Sequence, residues 1–544
     1  MKLEQIKKYE NNYGRANDFV NAFIDGEKWN NYVNRINRLS KITKQDIIDF
    51  AKKYYGENYV VIYKRTGIDS TIKKIDKPEI SPVETNRNEQ SDFLKKIINT
   101  PVNEIEPQFL DYTKDIKSFS VRKNIPVFFT ENKENKTFSM YYIFDMGSNH
   151  DKKLPIAIQY LPFLGTSKYT PAQVQEEFYK LACNFGVFNS DDQVYVSLNG
   201  LTENFDKALQ LFEHLLSDAK PNSDALQNLV LDILKNRTDD KLDKNSILRS
   251  AMYNYGVYGI KSPFTNILSE KELKALNPEE LISIIHSLNS YQHRILCYSS
   301  MTQDELSKSL NTYHKTPDVM KPLPVETKFE ELPTSENKIF AIDYDMKQAE
   351  IMFISKSENY DKNIVPQISI YNEYFGGGMS SIVFQELRES KALAYSVRSY
   401  YQQASRKDKA NYILSYIGSQ ADKLLEAMDG LYNLMKKMPE SNVAFSASKN
   451  SILQNLRSTR ITRTQILFSY ESAKKLGLDY DIRKDVYSKV TNFNIDDVKK
   501  FQEEHVKNKS YTILVLGKKD LLDQKVLEKY GPVKWLTLQE VFGY

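Results

Sequence analysis

The sequence predicts an α+β fold in which helices pack on β-sheets, arranged as a duplicated unit. Three observations carry this expectation. Strand-like segments rich in aromatic and β-branched residues alternate with longer amphipathic helices, one helix–strand segment occurs three times, and its copies lie a domain's length apart.

The repeated segment occupies residues 41–67, 275–301 and 492–518, which superimpose without gaps. Ile42, Leu276 and Phe493 coincide, then Ile47, Leu281 and Val498, then Phe50, Ile284 and Phe501 at the helical i+3 spacing. In every copy an apolar strand is expected to begin fourteen residues after the second of these positions. Thr43, Asn277 and Asn494 precede the helices, with Asp46, Glu280 and Asp497 three residues on, the capping-box pattern that satisfies orphan amides at a helix start. The spacings, 276 − 42 = 234 and 493 − 276 = 217 residues, are too long for a solenoid and fit a duplicated domain. A second pair of helices, opening at Asp206 and Asp422, repeats at 216 residues, each behind a strand starting near Tyr195 or Tyr412.

Hydrophilic, proline-bearing stretches at about 66–110 and 315–336 follow the first two copies, and both contain Pro-Val-Glu-Thr, at Pro82 and at Pro324. They read as interdomain linkers. The expected layout is two complete homologous domains, 111–314 and 337–544, preceded by residues 1–65 as the C-terminal tail of another such domain whose start is missing. Strands are expected at 138–144, 194–198, 349–354 and 411–416, and long helices at 172–183 and 222–236.

Composition removes several functional classes. Lys plus Arg is 75 against 71 for Asp plus Glu, and a formal charge of +4 over 544 residues is too dilute for a nucleic-acid groove. The 36 Tyr and 27 Phe supply apolar area while mean hydropathy stays at −0.54, so a folded, charged-surface protein is expected. Cys183 and Cys297 stand far apart, outside any Cys-x-x-Cys pattern, and are expected as buried free thiols. The first residues carry no apolar core of signal-peptide length, and no stretch approaches eighteen continuous apolar residues, so no membrane segment is expected and the compartment stays unknown.

No two of the six histidines stand at the i, i+4 spacing that aims two imidazoles at one zinc ion. The nearest imitation, Phe501-Gln502-Glu503-Glu504-His505, has a core Phe where the first ligand belongs. No nucleophile elbow or P-loop occurs. The run Gly376-Gly377-Gly378 lies between two helices and lacks the Gly-Lys-Ser/Thr of a phosphate cradle. A sharp helix–helix turn accounts for it, with left-handed or closely approaching glycines and a capping serine at 380 or 381. In the second helix Arg388 has no carboxylate at i±3 or i±4, so its partner is expected elsewhere. Tyr395, seven residues on, opens a strand-like segment. The pair reads either as a surface Arg and a packed Tyr, or as two donors at a sheet edge that can hydrogen-bond an extended peptide.

Residues 374–397, YFGGGMSSIVFQELRESKALAYSV, closely resemble the glycine-rich helix-turn-helix of the insulinase/pitrilysin family of zinc metallopeptidases. FLGTSKYTPAQVQEEFYKLACNFGV, 163–187, is similar to the segment following the zinc helix in that family's catalytic domain. The resemblance implies mostly antiparallel sheets packed against helices, with two homologous domains forming one half of a clamshell that encloses an unfolded peptide. The family's zinc helix carries His-x-x-Glu-His. Aligned on Gly165-Thr166, those positions hold Ile156, Gln159 and Tyr160, so no metal ligand and no catalytic residue is expected in this chain. The resemblance therefore implies the non-catalytic half of a zinc metalloendopeptidase, inactive alone. Zinc is expected in the missing amino-terminal half or in a zinc-bearing homologous subunit, and that half and a peptide are the expected partners. Arg388 and Tyr395 match the family's R-x6-Y pair, which implies binding to the substrate backbone. A non-enzymatic scaffold or a peptide-capture protein of the same fold remains the alternative.

Overall fold

A computed structural model describes residues 1–67, 71, 91–101, 103–122 and 124–544. The chain divides into two compact units, 1–105 and 106–544. The first is helical in its described residues: Lys2–Lys8, Asn12–Ile24, Trp29–Val33, Arg35–Leu39, Lys44–Tyr54 and Asp92–Ile98. The last of these falls inside the stretch expected to be a linker, and the Pro82 motif lies outside the described residues. Buried Asp18 helps hold this unit, accepting hydrogen bonds from Lys8 and from the Tyr32 hydroxyl.

Among its described residues the second unit carries fourteen strands: β1 (Lys117–Val121), β2 (Ile125–Glu131), β3 (Thr137–Phe144), β4 (Gly165–Thr166), β5 (Cys183–Asn189), β6 (Val194–Leu201), β7 (Ala219–Lys220), β8 (Arg294–Ser299), β9 (Lys338–Asp343), β10 (Gln348–Asn359), β11 (Ser396–Gln402), β12 (Ala410–Gln420), β13 (Thr512–Gly517) and β14 (Val533–Trp535). β4 and β7 pair with each other, and the others form two six-stranded sheets, β1-β2-β8-β3-β6-β5 and β11-β12-β10-β13-β9-β14. Reversing the second order aligns β9-β13-β10-β12-β11 with β2-β8-β3-β6-β5, while the remaining edges differ, β1 lying antiparallel to β2 and β14 parallel to β9. Pairing is mostly antiparallel, with parallel contacts at β2/β8, β9/β13 and β9/β14. The fold is α+β, as the sequence predicts. The strands expected at 138–144, 194–198, 349–354 and 411–416 form; the helix expected over 172–183 ends at Lys180, and Cys183 begins β5.

The repeated segment shows where the gapless superposition fails. Residue 281 corresponds to 498, an offset of 217, but Ile295 pairs with Val127 in β2 as Ile513 pairs with Ile339 in β9, an offset of 513 − 295 = 218. The extra residue is absorbed by the π-helical turn Gln502–Val506, which holds one residue more than an α turn. Thr43 and Asn494 close capping boxes with Asp46 and Asp497; Asn277 caps the Glu279 amide at 2.9 Å while Glu280 turns to Lys153. Each such cap contributes about 1 kcal/mol.

The first copy departs further. No strand forms at 58–64 among the described residues, and Val60, Ile62 and Tyr63 are 89%, 88% and 76% exposed. The equivalent strands β8 and β13 are interior and buried because neighbours flank them on both sides. A strand without flanking strands has no partner for its main chain.

One face of each sheet packs on helices of its own domain. Phe138, Met140, Tyr142 and Phe144 of β3 belong to one such core, and Ile351 and Phe353 of β10 to the other. The opposite faces are covered reciprocally. Helix Thr464–Lys475, from the second domain, lays Leu467 and Ala473 on Ile143, Leu296 and Tyr298 of the first sheet. The first domain's residues 246–258 lay Ile247, Leu248 and Met252 on Met352, Ile354 and Leu514 of the second. Gly256 allows this approach, since a Cβ there would stand 3.3 Å from Leu514.

Candidate functional site

The helix Leu154–Tyr160 presents the three positions aligned with the zinc motif. Ile156 is 9% exposed, Gln159 is half-buried, and both line a cavity of about 510 Å³. Tyr160 points elsewhere. Its ring is fully buried, and its hydroxyl donates to the Asn222 carbonyl at 2.6 Å while accepting from the Asn222 amide at 2.7 Å. Tyr160 therefore fixes the start of the helix Ser223–Asp240.

The glycine-rich segment lies on the outer edge of the second sheet. Helix Val365–Asn372 passes into the π-helical turn Glu373–Gly377, and helical backbone resumes at 382 to run through the π-helical stretch Phe384–Ser390. Left-handed glycine plays no part here: none of Gly376, Gly377 and Gly378 has positive φ, and Gly378 is extended at −142°. Close approach is the reason for Gly376, where a Cβ would stand 2.0 Å from the Ser399 carbonyl oxygen of β11. The residue that turns left-handed after the second helix is Ala392, at φ 50°. Ser381, expected as a cap, is instead buried and donates its hydroxyl to the Gly378 carbonyl at 2.6 Å.

Asn372, which the sequence reading did not single out, completes this edge. Its amide donates to the Tyr401 carbonyl at 3.0 Å and its oxygen accepts from the Tyr401 N–H at 2.7 Å. One side chain thus stands where the next strand would be, shielding an edge otherwise open to strand addition.

Arg388 and Tyr395 lie on either side of the Ala392 turn. The Arg388 side chain is 42% exposed, with its guanidinium 4.7 Å from the Phe384 ring centre. Its nearest carboxylate is the adjacent Glu389, at 4.0 Å, so the expectation of a partner elsewhere is corrected: aromatic stacking and a neighbour at the limit of ion pairing hold it. Tyr395 is 79% exposed, and only its main chain is tied, through N–H to the Gly418 carbonyl at 3.0 Å. Among the described residues neither side chain makes a hydrogen bond, so the guanidinium and the phenol are both open to a ligand.

The histidines serve structure. His505 bonds Glu358 at 2.6 Å, with Phe501 packed in the core. His293 lies 3.0 Å from His314, which lies 2.7 Å from buried Glu213; His214 meets Thr166 at 3.0 Å and His286 the Ala219 carbonyl at 3.1 Å. Among the described residues no group of three or more His, Cys, Asp and Glu side chains is placed to hold a metal ion. Cys183 and Cys297 are buried and outside any disulfide, and burial pushes the Cys297 thiol well above its usual range.

Residues 291–446, from the end of the first domain into the helix Asn442–Ser458, match the family model described as the peptidase M16 inactive domain. The uncharacterized zinc protease YmxG of Bacillus subtilis is 20% identical over 348 residues, covering 62% of this chain and 81% of that protein. The peptidase M16 inactive domain from Pseudomonas fluorescens superimposes with a TM-score of 0.60 at 17% identity, over 74% of this chain and 98% of that one. This chain is an insulinase-type, M16-family protein. The periplasmic protease PqqL of Escherichia coli shares the fold as well, with a TM-score of 0.60 at 12% identity, over 89% of this chain and 52% of that one.

The M16 zinc motif can be tested against the residues present. Ile156 has no lone pair to offer a metal, the Gln159 amide cannot take a proton from water, and the Tyr160 hydroxyl is engaged in both directions by Asn222. These positions do not fit zinc. Among the described residues no helix is long and apolar enough to cross a membrane.

Proposed function

We propose that this chain is the non-catalytic half of an M16 zinc endopeptidase, enclosing an extended peptide and orienting it for hydrolysis by zinc held in another half. The observation that carries the reading is the pair Arg388 and Tyr395, both exposed, both without side-chain hydrogen bonds, and joined to a sheet edge that Asn372 and Gly376 hold rigid. Donors fixed in advance can align a peptide main chain and stabilise charge developing on its carbonyl, without reorganisation during the reaction. The segment at 41–67, where exposed apolar residues follow a helix and form no strand, supports pairing with a partner that supplies the neighbouring strands.

The test mixes this chain with a homologous half carrying His-x-x-Glu-His and measures peptide cleavage. Arg388→Ala is expected to lower kcat/KM by about 10²-fold and Tyr395→Phe by about tenfold, magnitudes typical of a positioned donor. Unchanged cleavage in both variants overturns the orienting role.

A further inference from the structure

The cavity beside the helix Leu154–Tyr160 holds chemistry that the orienting role does not use. At about 510 Å³ it is within the range of small-ligand and side-chain pockets. Ile156 and Gln159 line it from one helix, Ile233 and Arg237 from the helix Ser223–Asp240, together with Phe264 and Tyr544. Where the zinc motif places its first imidazole and its carboxylate, this chain has an aliphatic side chain and a neutral amide.

Arg237 decides what the cavity can take. Its Nη2 donates to the Leu268 carbonyl at 2.8 Å, and its guanidinium carbon lies 4.9 Å from the Tyr544 ring centre. Nη1 is shut off from solvent and has no hydrogen-bond partner among the described residues. A buried guanidinium N–H without an acceptor is costly, and a shift of the Arg237 side chain that brings Nη1 to an acceptor in the cavity removes that cost. Guanidinium groups favour carboxylates, whose geometry matches the fork of donors. Lys152 lines the same cavity and adds positive charge.

Two carboxylates also line it and are accounted for. Asp240 accepts from the Ser246 hydroxyl at 3.2 Å. Burial, and then the neighbouring Asp192, raise the Asp191 carboxyl above its usual range, and its oxygens offer an acceptor for a peptide N–H. The apolar walls call for an apolar side chain next to the anion.

We propose that this cavity is a peptide-anchoring site, in which Arg237 Nη1 binds a peptide carboxylate while an adjacent apolar side chain packs against Ile156, Ile233 and Phe264. The inference rests on the peptide-handling reading above, but it is tested on this chain without any catalytic half, so its failure and that of the Arg388–Tyr395 role are distinguishable.

The experiment measures binding of a fluorescent decapeptide ending in Leu by anisotropy, in three forms: free C-terminal acid, C-terminal amide, and amide with Glu beside the Leu. Arg237→Gln is expected to weaken the acid form at least tenfold, with unchanged circular dichroism. Gln159→Trp, which fills the cavity and leaves Arg237 in place, is expected to do the same. A tenfold weaker amide, not rescued by Glu, assigns the carboxylate to a chain terminus, and rescue by Glu assigns it to a side chain. Equal affinity of the wild type and both variants, or no saturable binding of any form, overturns the proposal.

Discussion

Asn372 and Tyr401 meet through both main-chain groups of the tyrosine, one donated bond at 3.0 Å and one accepted at 2.7 Å. The glycine-rich segment thereby becomes a fixed neighbour of β11.

Asn372→Ala leaves the N–H and C=O of fully buried Tyr401 unpaired and is expected to cost about 2–3 kcal/mol in urea unfolding. Gly376→Ala should cost at least about 2 kcal/mol, because its Cβ cannot fit 2.0 Å from the Ser399 carbonyl without moving the backbone. A midpoint unchanged in both variants would remove this edge as a structural device.

Ala392→Gly is expected to stabilise the protein by about 1 kcal/mol, since a left-handed alanine is strained and glycine is not. Thermal unfolding gives the sign. A lower midpoint would show that the added freedom of the unfolded chain outweighs the relieved strain.

Arg294 of β8 reaches across the interface to Glu471, with Nε 2.9 Å from both carboxylate oxygens, and holds Asp145 at 2.6 Å. Burial opposes its charge, but these carboxylates outweigh burial and raise its pKa. Arg294→Met strands Glu471, which is 12% exposed, and is expected to cost about 3 kcal/mol. The double variant Arg294→Met with Glu471→Leu should recover most of the loss, as a double-mutant cycle in urea would show.

Burial, and then His314, hold the pKa of His293 down at about 3 from 6.5. Its Nδ1 donates to the Tyr291 carbonyl at 2.7 Å, so in the neutral ring Nε2 accepts from His314. The unfolded chain binds this proton more readily than the folded one. The stabilisation is therefore complete above about pH 6.5 and falls by about 1.4 kcal/mol per pH unit down to about pH 3. His293→Gln should flatten urea-derived stability across that window; an identical slope in both proteins would contradict the assignment.

The duplication was legible because helix periodicity and caps survive in single residues such as Val498 and Asn494. The strand register was not, because the π turn at 502–506 changes the count by one while leaving the apolar pattern intact. The zinc-position substitutions were readable by alignment, yet the turn of Tyr160 towards Asn222 depends on a helix that begins more than sixty residues later. Asn372 escaped notice because a polar residue ending a helix has the same appearance whether it faces water or a strand edge.

The reciprocal covering of the two sheets has a consequence for dissection. Cutting between 315 and 336 would not yield two soluble products, since each fragment would carry away the lid of the other and keep its own aromatic sheet face bare. Folding is thus a joint event: neither sheet is finished until the other's helix has arrived, and the pair should melt in one transition.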